Sequence, residues 1–136
     1  GHMFFADEFF GFDDSFYAAG RLLRILSNTD RALSELVAPL PHYYSTAETR
    51  IACPDEIKFE VIDSIREAAL KEYDAITVDG VRIPYPDGWG LVRASNTQPV
   101  IVARAEGCSP EALERNAADL KSRIMAAGAA EFDWEV

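Results

Sequence analysis

Only two cysteines occur in the 136 residues, Cys53 and Cys108. They stand alone, without the paired spacing of a disulfide framework, and two thiols do not make a metal site. Both read as small packing residues. Long apolar runs are missing too: no stretch approaches the length of a membrane span. The first residues lack the basic start and long apolar segment of a signal peptide. A cytoplasmic chain with no membrane partner is therefore the expectation. Basic residues are scarce, with 13 Lys and Arg against 23 Asp and Glu and a net charge of −10. Nucleic acid and anionic membranes both require a basic footprint, so this balance argues against them as partners.

What is present is apolar and aromatic, 49% and 11% of the chain, enough to fold rather than stay disordered. The length allows one core, or a small domain plus a remnant of another. The most informative stretch is Asp87–Gly107, DGWGLVRASNTQPVIVARAEG. Two apolar runs, Trp89–Val92 and Val100–Ala105, flank a polar connector, Arg93–Pro99. The flanks have the β-branched content of strands, and Pro99 cannot donate to a sheet ladder, which puts it at a strand's edge or start. The connector thus reads as a loop between paired strands.

Its side chains suit an anion: the guanidinium of Arg93, the hydroxyls of Ser95 and Thr97, and the carboxamide of Asn96. Arg matches phosphate oxygens two at a time, and hydrogen bonds to a charged acceptor contribute about 1.5–3 kcal/mol each. No carboxylate lies between Arg93 and Pro99 to repel a phosphate. The same residues would equally furnish an ordinary polar hairpin loop that satisfies its own backbone. Composition alone leaves the two readings even.

Along the rest of the chain, Asp13 or Asp14 is placed to cap a helix over Ser15–Leu26, its apolar side supplied by Leu22, Leu23, Ile25 and Leu26. Paired acids with no third ligand nearby read as a cap rather than a metal site. A short helix, Leu33–Ala38, ends at Pro39 and Pro41. Thr46–Cys53 reads as a strand. Pro54 with Asp55 and Glu56 opens a helix whose stripe is Ile57, Val61, Ile65 and Ala68, running to about Leu70. Ile76–Val78 and Val81–Tyr85 are strands about an Asp79-Gly80 turn, with a second turn at Asp87-Gly88. Ser109 followed by Pro110 starts the last helix, buried through Leu113, Ala117, Leu120 and Ile124 and stopped at Gly128. Phe132, Trp134 and Val136 alternate as an edge strand would. From Thr46 the order is β-α-β-β-β-β-α. The predicted fold is α+β, an antiparallel sheet of about four to five strands with two helices on one face.

Arg93-Ala94-Ser95-Asn96-Thr97-Gln98-Pro99, preceded by Asp87-Gly88-Trp89-Gly90, strongly resembles the phosphate-binding loop of the phosphomannomutase/phosphoglucomutase branch of the α-D-phosphohexomutases. Asn96 favours this branch, since phosphoglucosamine mutases usually carry Gly there. Gln98 departs from a common Glu. The resemblance implies a last domain likened to the TATA-binding-protein half-fold, over residues 45–136. Residues 1–44 would be the helical remnant of the third α/β domain, with a hinge at His42-Tyr43-Tyr44-Ser45. Arg93, Ser95, Asn96 and Thr97 would hold the phosphate that is not being transferred. Remote acids do not oppose this, because the screening length is about 8 Å at physiological salt.

Gly1-His2-Met3 allows two readings. It matches a tag-cleavage remnant, and it matches the end of the family's Glu-x-Ser-Gly-His motif followed by an aromatic pair like Phe4-Phe5. In the second reading His2 sits at the reaction centre and assists proton transfer. The family's phosphoserine loop, Mg²⁺ loop and sugar-specificity loop are not in these residues. The resemblance therefore implies a C-terminal piece that is inactive alone. Its partners would be glucose or mannose 1- or 6-phosphate and the N-terminal domains of the same enzyme, and Mg²⁺ would have its ligands outside this piece. A stand-alone phosphate-binding module, or a purely structural interaction domain, are the readings left beside it.

Overall fold

A computed structural model describes residues 2–135; Gly1 and Val136 lie outside the described residues. The chain divides into two compact units, Gly1–Leu40 and Pro41–Val136.

The first unit holds helix α1, Ser15–Ser27, and the short helix α2, Leu33–Val37. Asp14, not Asp13, is the cap: its carboxylate accepts from the Tyr17 N–H at 2.8 Å. Ahead of α1 the aromatic run folds on itself, with Phe9 stacked on Tyr17 and Phe5 edge-on to the same ring. Arg21 and Arg24 bind Asp7 and Glu8 at 3.0 and 2.6 Å. The apolar side expected of α1 is there but uncovered among the described residues. Leu22, Leu23 and Ile25 are exposed, Phe16 is 90% exposed, and Ala18 alone in the helix is buried.

The second unit is a five-stranded antiparallel sheet with helices packed on one side. Its strands are β1 (Tyr44–Ser45), β2 (Thr49–Ala52), β3 (Val81–Tyr85), β4 (Gly88–Ala94) and β5 (Val100–Gly107); its helices are α3 (Lys58–Ala69) and α4 (Pro110–Ala126). Strand β5 is central. It pairs with β4 over Ile101–Gly107 on one side, and on the other with β2 and then β1 in succession. Strand β3 closes the far edge. The period-2 pattern sorts residues by face. Val81, Ile83, Val92, Ile101, Ala103 and Ile51 point into the core, where Val61, Ile65, Leu120 and Ile124 from the two helices meet them.

Several elements differ in detail from expectation. Ile76–Val78 forms no strand; a single bridge, Ile76 to Arg82, is all the pairing it makes. Gly80 supplies the turn with φ of +73°, in a place where a Cβ would lie 2.2 Å from the Val92 carbonyl oxygen. Strand β2 is shorter than Thr46–Cys53. Helix α3 begins at Lys58, and ahead of it the Pro54 carbonyl accepts from the Ile57 and Lys58 N–H groups in a turn. Of the stretch expected as hinge, Tyr44 and Ser45 form β1. Cys53 is buried as expected, whereas Cys108 is exposed, and both are free. The tail adds no strand over its described residues. Phe132 and Trp134 instead pack against the core, and Glu135 makes one backbone bond to Ala47.

Candidate functional site

The connector is shorter than expected at its start. Arg93 and Ala94 continue β4, where Arg93 lies opposite Val102, and Ala94 opposite Ile101, on β5. The turn itself is Ser95–Pro99. Ladder geometry sets its base: the Ser95 N–H donates to the Val100 carbonyl at 3.0 Å, and Cys53 N–H donates to Pro99 C=O at 3.0 Å. Inside the turn the Ser95 hydroxyl accepts from the backbone N–H groups of Thr97 and Gln98, at 3.3 and 3.2 Å. Ser is favoured in turns because its short hydroxyl reaches its own backbone in this way.

Arg93 is half-buried and forms no ion pair among the described residues. Its neighbours differ in this. Arg50, registered opposite Val102 from the other side, is tied to Glu48 at 3.5 Å and to the Gln98 carboxamide oxygen at 3.3 Å. Strand alternation places Arg50, Val102 and Arg93 in one row on one face of the sheet. A Glu at position 98 would set a carboxylate beside this row, whereas Gln98 accepts from Arg50 without neutralising it. Asn96, Thr97 and Gln98 are exposed. Their side chains, apart from the Gln98 oxygen, have no partner within the protein among the described residues.

One residue that sequence reasoning missed organises the turn from beneath. Lys58, at the start of α3, is 4% exposed. Its ammonium donates to the Ser95 carbonyl at 2.6 Å, the Gln98 carbonyl at 3.1 Å and Asp55 Oδ1 at 2.6 Å. The helical stripe held the signal. The buried positions are Lys58, Val61, Ile62, Ile65 and Ala69, so a lysine occupies the apolar face, while Ile57, read as part of it, is 40% exposed. A lysine is almost never fully buried unless paired. Beside it, burial pushes the Cys53 thiol up, and the Lys58 ammonium offsets part of that.

His2 belongs to the first unit. Its Nδ1 meets the Asp13 carboxylate, whose other oxygen accepts from the Met3 N–H at 3.2 Å. The hydrogen bond with His2 holds the Asp13 carboxyl below the usual carboxylate range, outweighing desolvation, which raises it, and the Met3 bond adds to the lowering. The structure thus brings together Arg93, Ser95, Asn96 and Thr97 at one turn, and His2 is placed in the other unit. Among the described residues no three His, Cys, Asp or Glu side chains are grouped to hold a metal ion. No helix there is long and apolar enough to cross a membrane.

Comparison with known proteins adds the remaining findings. Residues 48–122 match a family model described as the C-terminal domain of phosphoglucomutase/phosphomannomutase. A phosphomannomutase/phosphoglucomutase of Pseudomonas putida is 48% identical over 116 residues, 85% of this chain and 25% of that protein. One from Pseudomonas aeruginosa is 44% identical over 127 residues, 93% of this chain and 27% of that protein. A crystal structure of a phosphoglucomutase/phosphomannomutase family protein from Burkholderia thailandensis superposes with a TM-score of 0.81 at 38% identity, covering 100% of this chain and 28% of that one. The chain spans about a quarter of the length of the curated relatives it matches.

Proposed function

The chain belongs to the phosphoglucomutase/phosphomannomutase family, and from that premise we propose that it is the C-terminal part of a phosphohexomutase. The whole enzyme would interconvert hexose 1-phosphates and 6-phosphates of glucose or mannose in the cytoplasm, through a phosphoserine and Mg²⁺ held by its N-terminal domains. The described residues gather no set of ligands that fits a Mg²⁺ ion.

This part would seat the phosphate that is not being transferred. Arg93 is the main clamp, its guanidinium meeting two phosphate oxygens at once. Ser95 accepts two amides with its oxygen, which leaves its own hydrogen to donate outward. Asn96 and Thr97 complete the ring of donors. His2, if native, would serve proton transfer, with Asp13 fixing the ring. Phosphoryl transfer depends on holding donor, metal and acceptor in one geometry, so these 136 residues alone would bind but not turn over.

The observation that carries the reading is Arg93 itself. It is a half-buried guanidinium with no acidic partner among the described residues, beside a turn whose Asn96 carboxamide and Thr97 hydroxyl are on exposed residues, in a chain with a net charge of −10. The test is a titration of the chain with glucose 1-phosphate while backbone amide shifts are followed. Saturable shifts confined to Arg93–Gln98 are expected. A lone turn reaches only about millimolar affinity, roughly −4 kcal/mol, so titration extends to several tens of millimolar on that account. Absence of localised shifts over that range overturns the reading.

A further inference from the structure

We infer that Lys58 is the positioning residue of the phosphate-binding turn, fixing the Ser95–Asn96 peptide so that its N–H faces the ligand. The inference rests on the phosphate reading of the same turn. The peptide bonds of the chain are all trans among the described residues, and in a trans peptide the C=O and N–H point in opposite directions. The Ser95 carbonyl points at the Lys58 ammonium, 2.6 Å away. The Asn96 N–H is therefore aimed away from Lys58, out of the protein, on the side where Asn96 and Thr97 are exposed. A flip of this one peptide would turn the donor inward and set a carbonyl oxygen, negative end outward, where an anion is to sit.

Lys58 opposes that flip. An ammonium has three protons, and here all three have acceptors: Asp55, 3 residues back, and two carbonyls 37 and 40 residues on. Asp55 alone would answer the charge. The two carbonyls bracket Asn96 and Thr97 and belong to no helix or strand, so bonding them holds the turn rather than the helix. Lys58 as a residue is 4% exposed and its ammonium bonds the carbonyls of the turn, so it acts through the backbone and does not touch the phosphate.

The experiment uses the full chain, isotopically labelled. In the wild type the Lys58 ammonium should give a signal protected from exchange, with couplings across its hydrogen bonds to the Ser95 and Gln98 carbonyl carbons. Lys58→Met, of similar length and uncharged, should lower the heteronuclear NOE of Asn96 and Thr97 while leaving Ile101 and Leu120 unchanged. Its affinity for glucose 1-phosphate should fall about tenfold through lost preorganisation. The inference is overturned if the wild-type couplings are absent, or if Lys58→Met stays folded with an ordered turn and wild-type affinity. Should Lys58→Met fail to fold, the wild-type couplings decide. Should the wild type bind no phosphate ester, the phosphate reading falls on its own, and turn order in Lys58→Met still decides the role of Lys58.

Discussion

The Tyr85 hydroxyl donates a 2.6 Å hydrogen bond to Asp119, joining strand β3 to helix α4. Arg123 donates to the same carboxylate at 2.7 Å and to Glu72 at 2.7 Å, and its guanidinium lies 5.2 Å from the Tyr73 ring centre. Burial drives the Tyr85 phenol far above its usual range, and the bond to the Asp119 carboxylate adds to this, so Tyr85 stays a donor throughout the working pH range. Removing a donor to a charged acceptor costs about 1.5–3 kcal/mol. Tyr85→Phe should lower the unfolding free energy from urea titration by an amount in that range, moving the midpoint down with the slope unchanged.

The same carboxylate gives stability a pH dependence. Burial raises Asp119, but hydrogen bonds from Arg123 and Tyr85 outweigh it and leave the carboxyl below its ordinary value of 3.8. With the folded value lower, the unfolded chain binds the proton more readily as pH falls. The stabilisation is thus fully present above 3.8 and is lost as pH drops through the folded value. Urea unfolding of wild type and Asp119→Asn should differ at pH 6 and converge towards pH 2. A constant difference across that range would remove the network from the account of acid sensitivity.

Arg93 separates binding from folding. It has no ion pair to lose among the described residues, and surface changes of this kind usually alter stability by less than about 0.5 kcal/mol. Arg93→Gln should therefore melt like the wild type while the affinity read from the glucose 1-phosphate shifts at Ser95–Thr97 falls about tenfold or more, since one charged contact of about 1.5–3 kcal/mol is a large share of a millimolar affinity of about 4 kcal/mol. Arg93→Lys keeps the charge and loses the two-pronged geometry, so intermediate binding is expected.

Gly80 tests the turn that leads into β3, where it packs against the Val92–Arg93 backbone of β4. Its φ of +73° and the Val92 carbonyl 2.2 Å from a built Cβ both exclude a side chain. A left-handed non-glycine residue alone costs about 1–3 kcal/mol, and overpacking adds to it. Gly80→Ala should lower the melting temperature clearly, with Gly20→Ala in helix α1 as a neutral or stabilising control, because a Cβ there meets nothing within 4 Å.

How much of this could be read from the chain follows from how local each cause is. Ser109 and Pro110 start α4 through cap chemistry within three residues, and β3 over Val81–Tyr85 follows an Asp-Gly turn; both were legible. Ile76–Val78 has β-branched content but meets only Arg82, and composition cannot reveal that a ladder is missing. Leu22, Leu23 and Ile25 mark an apolar face on α1 without saying what covers it. The turn residues Arg93–Thr97 were legible as chemistry. Lys58 was not, because its acceptors lie 37 and 40 residues away and only the fold brings them to it.

The thiols report on the same turn. Cys108 is exposed, whereas Cys53 is 1% exposed, its thiol raised by burial, and its backbone N–H holds Pro99 at the base of the turn. Only the thiolate reacts, so a disulfide reagent should label one cysteine of the folded chain at once and the second only when Cys53 is uncovered. Opening at Cys53 breaks its bond to Pro99, and a phosphate seated on Arg93–Thr97 stabilises the closed turn. Glucose 1-phosphate should therefore slow the second labelling step in proportion to occupancy and leave the first unchanged. Equal slowing of both steps, or of neither, would show that Cys53 is uncovered by a motion the turn does not share.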